Sequence, residues 1–178
     1  MKKIKMVLLA VLVLSASSYA QKRPSQIGGG GDIALPAGEF GNYYKTGFGG
    51  YVKALVGAGK NGQVTFTFGY TRHKEVGGTP EWNSIASLMP LLAGYRHYIQ
   101  NFFVEPQIGY GIYNVKYIEF DEFYTESGGA LTFAASAGVV FSNQIELSAR
   151  YQTGGQRGKN LGVFGVRLGY NFNLNGSK

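Results

Sequence analysis

Hydrophobic and polar residues alternate along most of this chain with a period of two. The clearest case is "VFGVRLGYNFNL", Val163 to Leu174. Phe164, Val166, Leu168, Tyr170, Phe172 and Leu174 form one face; Gly165, Arg167, Gly169, Asn171 and Asn173 form the other. That repeat marks a strand whose two faces meet different surroundings. The preceding segment, "QIELSARYQ", sets Ile145, Leu147, Ala149 and Tyr151 against Glu146, Ser148, Arg150 and Gln152. Six further segments are read as strands: Ile27 to Pro36, Lys45 to Val56, Gln63 to His73, Ile85 to Ile99, Phe102 to Tyr117 and Ala130 to Phe141.

Most of these eight strands are long. Soluble strands usually run about five or six residues, whereas a tilted membrane strand needs about 9 to 11. The connections alternate too. "GKNG" near Lys60, "QN" at Gln100-Asn101 and "SNQ" at Ser142 to Gln144 are short. Gly38 to Tyr44, Lys74 to Ser84, Glu119 to Gly129 and Thr153 to Asn160 are longer and read as loops. Short turns at one end and long loops at the other are the plan of an outer-membrane barrel. The expected fold is all-β: an eight-stranded antiparallel up-and-down transmembrane β-barrel. With both termini periplasmic, the long loops fall outside the cell.

Alternation alone does not say which face is inward. A secreted soluble barrel carrying an apolar ligand hides its apolar face; a membrane barrel shows it to lipid. Gly69, Gly94, Gly109, Gly111, Gly138, Gly165 and Gly169 all lie on the polar face. Inside a narrow barrel, small residues make room for large polar neighbours, so the polar face is expected inward. A two-residue loop at Gln100-Asn101 would pair Arg96 with Glu105 across a hairpin, both pointing inward. Glu146, Arg150 and Arg167, with Asp32 and Lys53, are the candidates for extending an interior charge network. Its expected job is to fill the lumen.

Composition adjusts this picture. Twenty-eight glycines, 13 tyrosines and 12 phenylalanines suit an all-β chain with many turns. Cysteine is absent, which removes disulfides, a lipid-anchor cysteine and thiolate metal sites. Lys2, Lys3 and Lys5 precede an apolar run from Met6 to Leu14, and "SYA" ends at Ala20. This reads as a cleaved secretory signal peptide over residues 1–20, with the barrel domain over 21–178. Removing three lysines lowers the net charge from +7 to +4, too mild to argue for nucleic acid.

Taken together, these residues resemble a small eight-stranded outer-membrane β-barrel of the OmpA/OmpX/opacity-protein type. The resemblance covers nearly all of 21–178. Its most specific element is the last strand, where Arg167, Gly169, Phe172 and Leu174 fill the frame polar-x-Gly-x-x-aromatic-x-hydrophobic. The resemblance implies that the outer-membrane assembly machinery reads this segment as an insertion signal. Many members end on an aromatic residue, whereas this chain adds Asn175 to Lys178. A peptidoglycan tether of the kind some members carry is not expected from these residues. The expected protein is a monomeric outer-membrane barrel in contact with outer-membrane lipid and lipopolysaccharide, with a structural, envelope-integrity, adhesion or surface-interaction role through its long loops. Eight strands leave an interior just wide enough for side chains, so no open pore is expected.

Candidate chemistry is sparse. A lipid A-modifying enzyme needs a base beside a nucleophile, and only His73 and His97 are available. His97 shares parity with lipid-facing Tyr95 and Ile99. His73 has Ser84 and Ser87 within the next connection and strand, without a telling spacing. "EFDEFYTES" gathers four acids with Phe120, Phe123 and Tyr124, but does not match a calcium loop. Trp82 sits in another long loop. "GGGGD" at Gly28 to Asp32 lacks the third glycine and the helix of a dinucleotide motif. "TGGQRGKN" at Thr153 to Asn160 has Thr153 where a P-loop needs its first glycine, and a strand follows. Its Arg157 and Lys159 are candidates for contact with phosphorylated lipopolysaccharide. No enzyme activity, cofactor or metal is expected. Surface contacts are expected at Trp82, Phe120, Phe123, Tyr124, Arg157 and Lys159.

Overall fold

The structure, a computed structural model, describes residues 23–79, 82–119, 122–156 and 159–174. Eight strands close into one antiparallel barrel in sequence order: β1 Gln26–Ala37, β2 Gly47–Gly57, β3 Gly62–Lys74, β4 Trp82–Ile99, β5 Phe102–Glu119, β6 Glu122–Phe141, β7 Ile145–Gln156 and β8 Lys159–Asn173. A five-residue helix, α1 Glu39–Tyr43, lies between β1 and β2. The barrel closes where β1 pairs with β8, from Gln26 opposite Asn173 to Ala37 opposite Gly162. Closure removes the strand edges that an open sheet would leave in the bilayer.

The inward and outward faces follow the alternation. On β3, Val64, Phe66, Phe68 and Tyr70 are exposed, whereas Thr65, Thr67, Thr71 and His73 are buried in the lumen. On β8, Phe164, Val166, Leu168, Tyr170 and Phe172 are exposed, whereas Arg167 and Asn171 are buried. A water-soluble carrier of an apolar ligand needs the opposite arrangement, so that alternative is set aside.

The short turns sit at the end that also holds both described chain ends. Gln100 in one turn and Ser142 and Asn143 in another take left-handed backbone, at φ 58°, 50° and 59°. At the opposite end the strands rise to different heights. β5 and β6 stay paired as far as Glu119 opposite Glu122. Nearly all of the loop expected over Glu119 to Gly129 is therefore strand, and β6 begins well before Ala130. Likewise β7 runs to Gln156 and pairs with Lys159, so "TGGQRGKN" is the tip of a hairpin. In the first, Phe123 and Tyr124 are adjacent and both exposed, so apolar and polar positions do not alternate; the second is rich in glycine. They carry no two-residue hydrophobic rhythm to mark them.

The lumen also departs from a uniformly polar interior. Towards the long-connection end, Ala34, Ala86, Leu88, Tyr113, Ala130 and Val163 form an apolar cluster around Phe40 of α1. Gly38, at φ 63°, turns the chain after β1 and lets α1 fold over the opening. The Phe40 ring then lies 4.8 Å from Tyr44 and edge-on to His73 at 5.3 Å. Sequence reading missed this helix because five residues are too few to show a helical period.

Candidate functional site

Two regions hold the polar chemistry: the lumen and the long-connection end. In the lower lumen, Arg96 of β4 and Glu105 of β5 face each other across the Gln100-Asn101 turn. Arg96 Nε donates to Glu105 Oε2 at 2.7 Å. Its Nη1 donates to Glu146 Oε2 of β7, also at 2.7 Å. Lys53 Nζ of β2 lies 3.0 Å from Glu105 Oε2 and 3.6 Å from Glu146 Oε1. Two cations thus serve two carboxylates, and neutral donors take the remaining lone pairs. Thr65 Oγ1 and Gln107 Nε2 donate to Glu105 Oε1 at 2.9 and 2.8 Å. Asn171 Nδ2 donates to Glu146 Oε2 at 3.3 Å. Buried charges persist when paired and hydrogen-bonded in this way.

The structure does not unite all the candidate network residues. Arg167 forms its own pair with Asp32, Nε to Oδ2, at 2.9 Å. Arg150 joins neither group; its side-chain partner is Gln152. Arg150 stands opposite Gly165 and Glu146 opposite Gly169. Four residues along β7 separate the two by about 13 Å. Sequence parity shows that a residue points inward, but the stagger of the strands decides which inward residues share a level.

The residues of the terminal frame have structural partners as well. Gly169 faces the lumen, where an added Cβ would collide with the Tyr51 hydroxyl. Tyr51 in turn carries the Arg167 guanidinium over its ring at 4.4 Å. Phe172 points outward against Tyr170, with ring centroids 4.7 Å apart. Leu174, just beyond β8, donates its backbone N–H to the Ser25 carbonyl at 2.8 Å.

Above Phe40 the lumen widens into a cup of about 800 Å³. Phe40, Tyr113 and Tyr117 line it together with Glu39, Glu75 and Glu126, and its described lining includes no Lys or Arg. Sequence reading did not assemble this group, because it comes from α1, the β3–β4 connection and the raised β5–β6 hairpin. Around the hairpin, Phe123 is 61% exposed and carries Lys116 Nζ over its ring at 4.1 Å. The Tyr124 hydroxyl donates to the Glu122 carboxylate. Trp82 opens β4 half-exposed, its backbone N–H bonded to Thr79 Oγ1 at 3.1 Å. Phe120 and Arg157 lie outside the described residues, as do residues 1–20; Lys159 is described only as the first backbone position of β8.

The histidines do not form a base–nucleophile pair. His73 Nδ1 is 3.2 Å from the Lys45 carbonyl. Ser84 donates to the Tyr44 hydroxyl, and Ser87 lies beside the Tyr70 hydroxyl, each at 3.3 Å. His97 faces outward and stacks on Tyr95.

Residues 6–172 match the family described as outer membrane protein beta-barrel domain. The chain belongs to that family. As an outer membrane β-barrel, it resides in the Gram-negative outer membrane with its apolar girdle in lipid. No curated protein matches it in sequence. Among solved structures, it is similar to Ail, the attachment invasion locus protein of Yersinia pestis. That match has 18% identity, a TM-score of 0.65, and covers 83% of this chain and 97% of Ail. The N-terminal β-barrel domain of Pseudomonas aeruginosa OprF gives 14% identity and a TM-score of 0.59, covering 85% and 100%. Neisserial surface protein A gives 12% identity and a TM-score of 0.58, covering 86% and 99%. At these identities the likeness is one of fold, and this outer membrane β-barrel takes its residue-level chemistry from its own side chains.

Proposed function

We propose that this outer membrane β-barrel is a monomeric surface-interaction protein that neither conducts solutes nor catalyses a reaction. Its long-connection end faces outward and engages an extended polypeptide bearing basic side chains. The observation that carries this reading is the strand register above the membrane. β6 pairs with β5 along its whole upper part, but with β7 only from Thr132 onward. Among the described residues, Thr125 to Leu131 therefore have a strand neighbour on one side only. Such an edge can accept an incoming strand through backbone hydrogen bonds.

The cup beside this edge sets the charge preference. Glu126 lies on the edge strand and also lines the cup with Glu39 and Glu75. A cationic side chain entering there would meet carboxylates and aromatic faces, both of which attract it. One structure of Ail contains the heparin analogue sucrose octasulfate. A polysulfate has the wrong charge for this cup, so a shared fold here does not argue for a shared ligand. In the lumen below, the ion-paired layer and the Phe40 cluster occupy the path a solute would follow. An eight-strand barrel is only wide enough for such filling.

The test is calorimetric titration of the purified barrel in maltoside micelles with an alternating Lys-Val octapeptide. The expected result is saturable binding that disappears when two prolines break the peptide's strand. The Glu75→Gln/Glu126→Gln variant is expected to weaken it about fivefold. Equal binding of the proline-containing peptide would remove strand addition from the proposal. Competition by a polysulfated sugar for the same site would reverse its charge preference.

A further inference from the structure

Among the described residues, the charges buried in the lumen do not balance. Among them, the buried cations are Lys53, Arg96, Arg150 and Arg167; the buried anions are Asp32, Glu105 and Glu146. Lys53 and Arg96 are matched by Glu105 and Glu146. Arg167 is matched by Asp32. Arg150 is left over, 5% exposed, with neutral Gln152 as its side-chain partner. A guanidinium without a carboxylate of its own inside a bilayer-spanning barrel is costly, because a charge taken out of water is offset only by a well-placed opposite charge.

The unsatisfied atoms gather at the same place. Arg150 Nε, Arg167 Nη1 and Asp32 Oδ1 are buried and make no hydrogen bond with the described residues. All three side chains line one cavity of about 10 Å³, between the ion-paired layer and the apolar cluster. The three are at least nine-tenths buried, at 5%, 1% and 4% exposure. Glycine keeps the space open: a Cβ on Gly165 would stand 2.8 Å from Asp32 Oδ1. The cavity has room for about one water-sized occupant.

We propose that this cavity binds a single halide ion, chloride under ordinary conditions, held by the N–H groups of Arg150 and Arg167. Size excludes phosphate, sulfate and carboxylates. Charge separates a halide from water. One water could bond all three orphaned groups, yet it would leave the lumen one positive charge in excess, whereas a halide brings it to neutrality. Asp32 Oδ1 disfavours an anion at close range, so the ion belongs on the arginine side of the cavity. The site makes lumen closure sensitive to the anion present during folding, independently of what the outer end binds.

The experiment refolds the urea-denatured barrel into maltoside micelles with sodium bromide or sodium isethionate at equal ionic strength. Bromide-grown crystals are expected to show an anomalous peak beside Arg150 and Arg167. Thermal unfolding, read by heat-modifiable gel mobility, is expected to be higher in bromide or chloride than in isethionate by roughly 4 °C. Arg150→Gln and Arg150→Met should each abolish that halide dependence. A variant that does not fold leaves the wild-type comparison and the anomalous map to decide. Ordinary water density without an anomalous signal, or equal midpoints in all salts, would overturn the proposal. So would an undiminished halide effect in a folded Arg150 variant.

Discussion

The two ends of this lumen are closed by different chemistry. The lower part is closed by charge and the upper part by rings. Lys53 reaches from β2 to Glu105 on β5, and Arg96 reaches from β4 to Glu146 on β7. These contacts run across the lumen and tie together strands that are not neighbours in the sheet. The upper closure depends on Phe40, carried by a five-residue helix in a connection. The lower layer is therefore part of the barrel's frame, whereas the upper one is a stopper that can loosen without opening the sheet.

The largest expected effect comes from breaking the frame. Arg96→Met removes the cation shared by both carboxylates and leaves Lys53 to serve two of them. Losing one partner of a buried ion pair costs about 3–5 kcal/mol. Urea unfolding in micelles, followed by heat-modifiable mobility, should show a loss in that range. The midpoint should fall without a comparable loss from an outward charge such as Lys116→Met. Near-equal midpoints for the two variants would mean that the lower layer fills space without bracing the barrel.

Phe40→Ala tests the stopper. Truncating a buried phenylalanine removes about 3 kcal/mol of packing. Here the loss should fall on α1. The amides of Gly41 and Tyr44, which bond to the Gly38 and Phe40 carbonyls, are expected to exchange faster with deuterium. The free energy of global unfolding in urea should change by less than about 0.5 kcal/mol. In planar bilayers the variant should remain non-conducting, because the ion-paired layer still closes the lumen below. A single-channel current from Phe40→Ala would show that the rings are the seal.

Legibility in the sequence divides along the same line. Where a strand has lipid on one side and the lumen on the other, its faces differ and the period of two is visible, as in β7 and β8. Where both faces meet water, as in Glu122 to Ser127, the rhythm disappears although the strand continues. The Arg96–Glu105 contact could be located because a two-residue turn fixes the register nearby. The separation of Arg150 from Glu146 could not, since it depends on stagger around the whole barrel. The cup was illegible for a related reason: Phe40, Glu75 and Glu126 meet only because three distant connections rise over one opening.

The smallest expected effect is a pH response confined to the upper end. Burial pushes the Tyr44 hydroxyl above its ordinary value of 10. The hydrogen bond from Ser84 works against that shift, while Tyr117 and Glu75 add to it. A phenol whose pKa is raised by folding contributes stability below pH 10. That contribution is lost as pH rises from 10 through the folded value, because the unfolded chain releases its proton first. The wild-type cup should therefore loosen on the alkaline side of pH 10, seen as faster exchange at Tyr44 and Glu75. Tyr44→Phe should have a flatter profile over the same range. No ion pair of the lower layer involves Tyr44, so amide protection around Lys53 and Glu105 should follow the same profile in wild type and Tyr44→Phe. A Tyr44→Phe effect of equal size at both depths would mean that the stopper and the frame unfold as one unit.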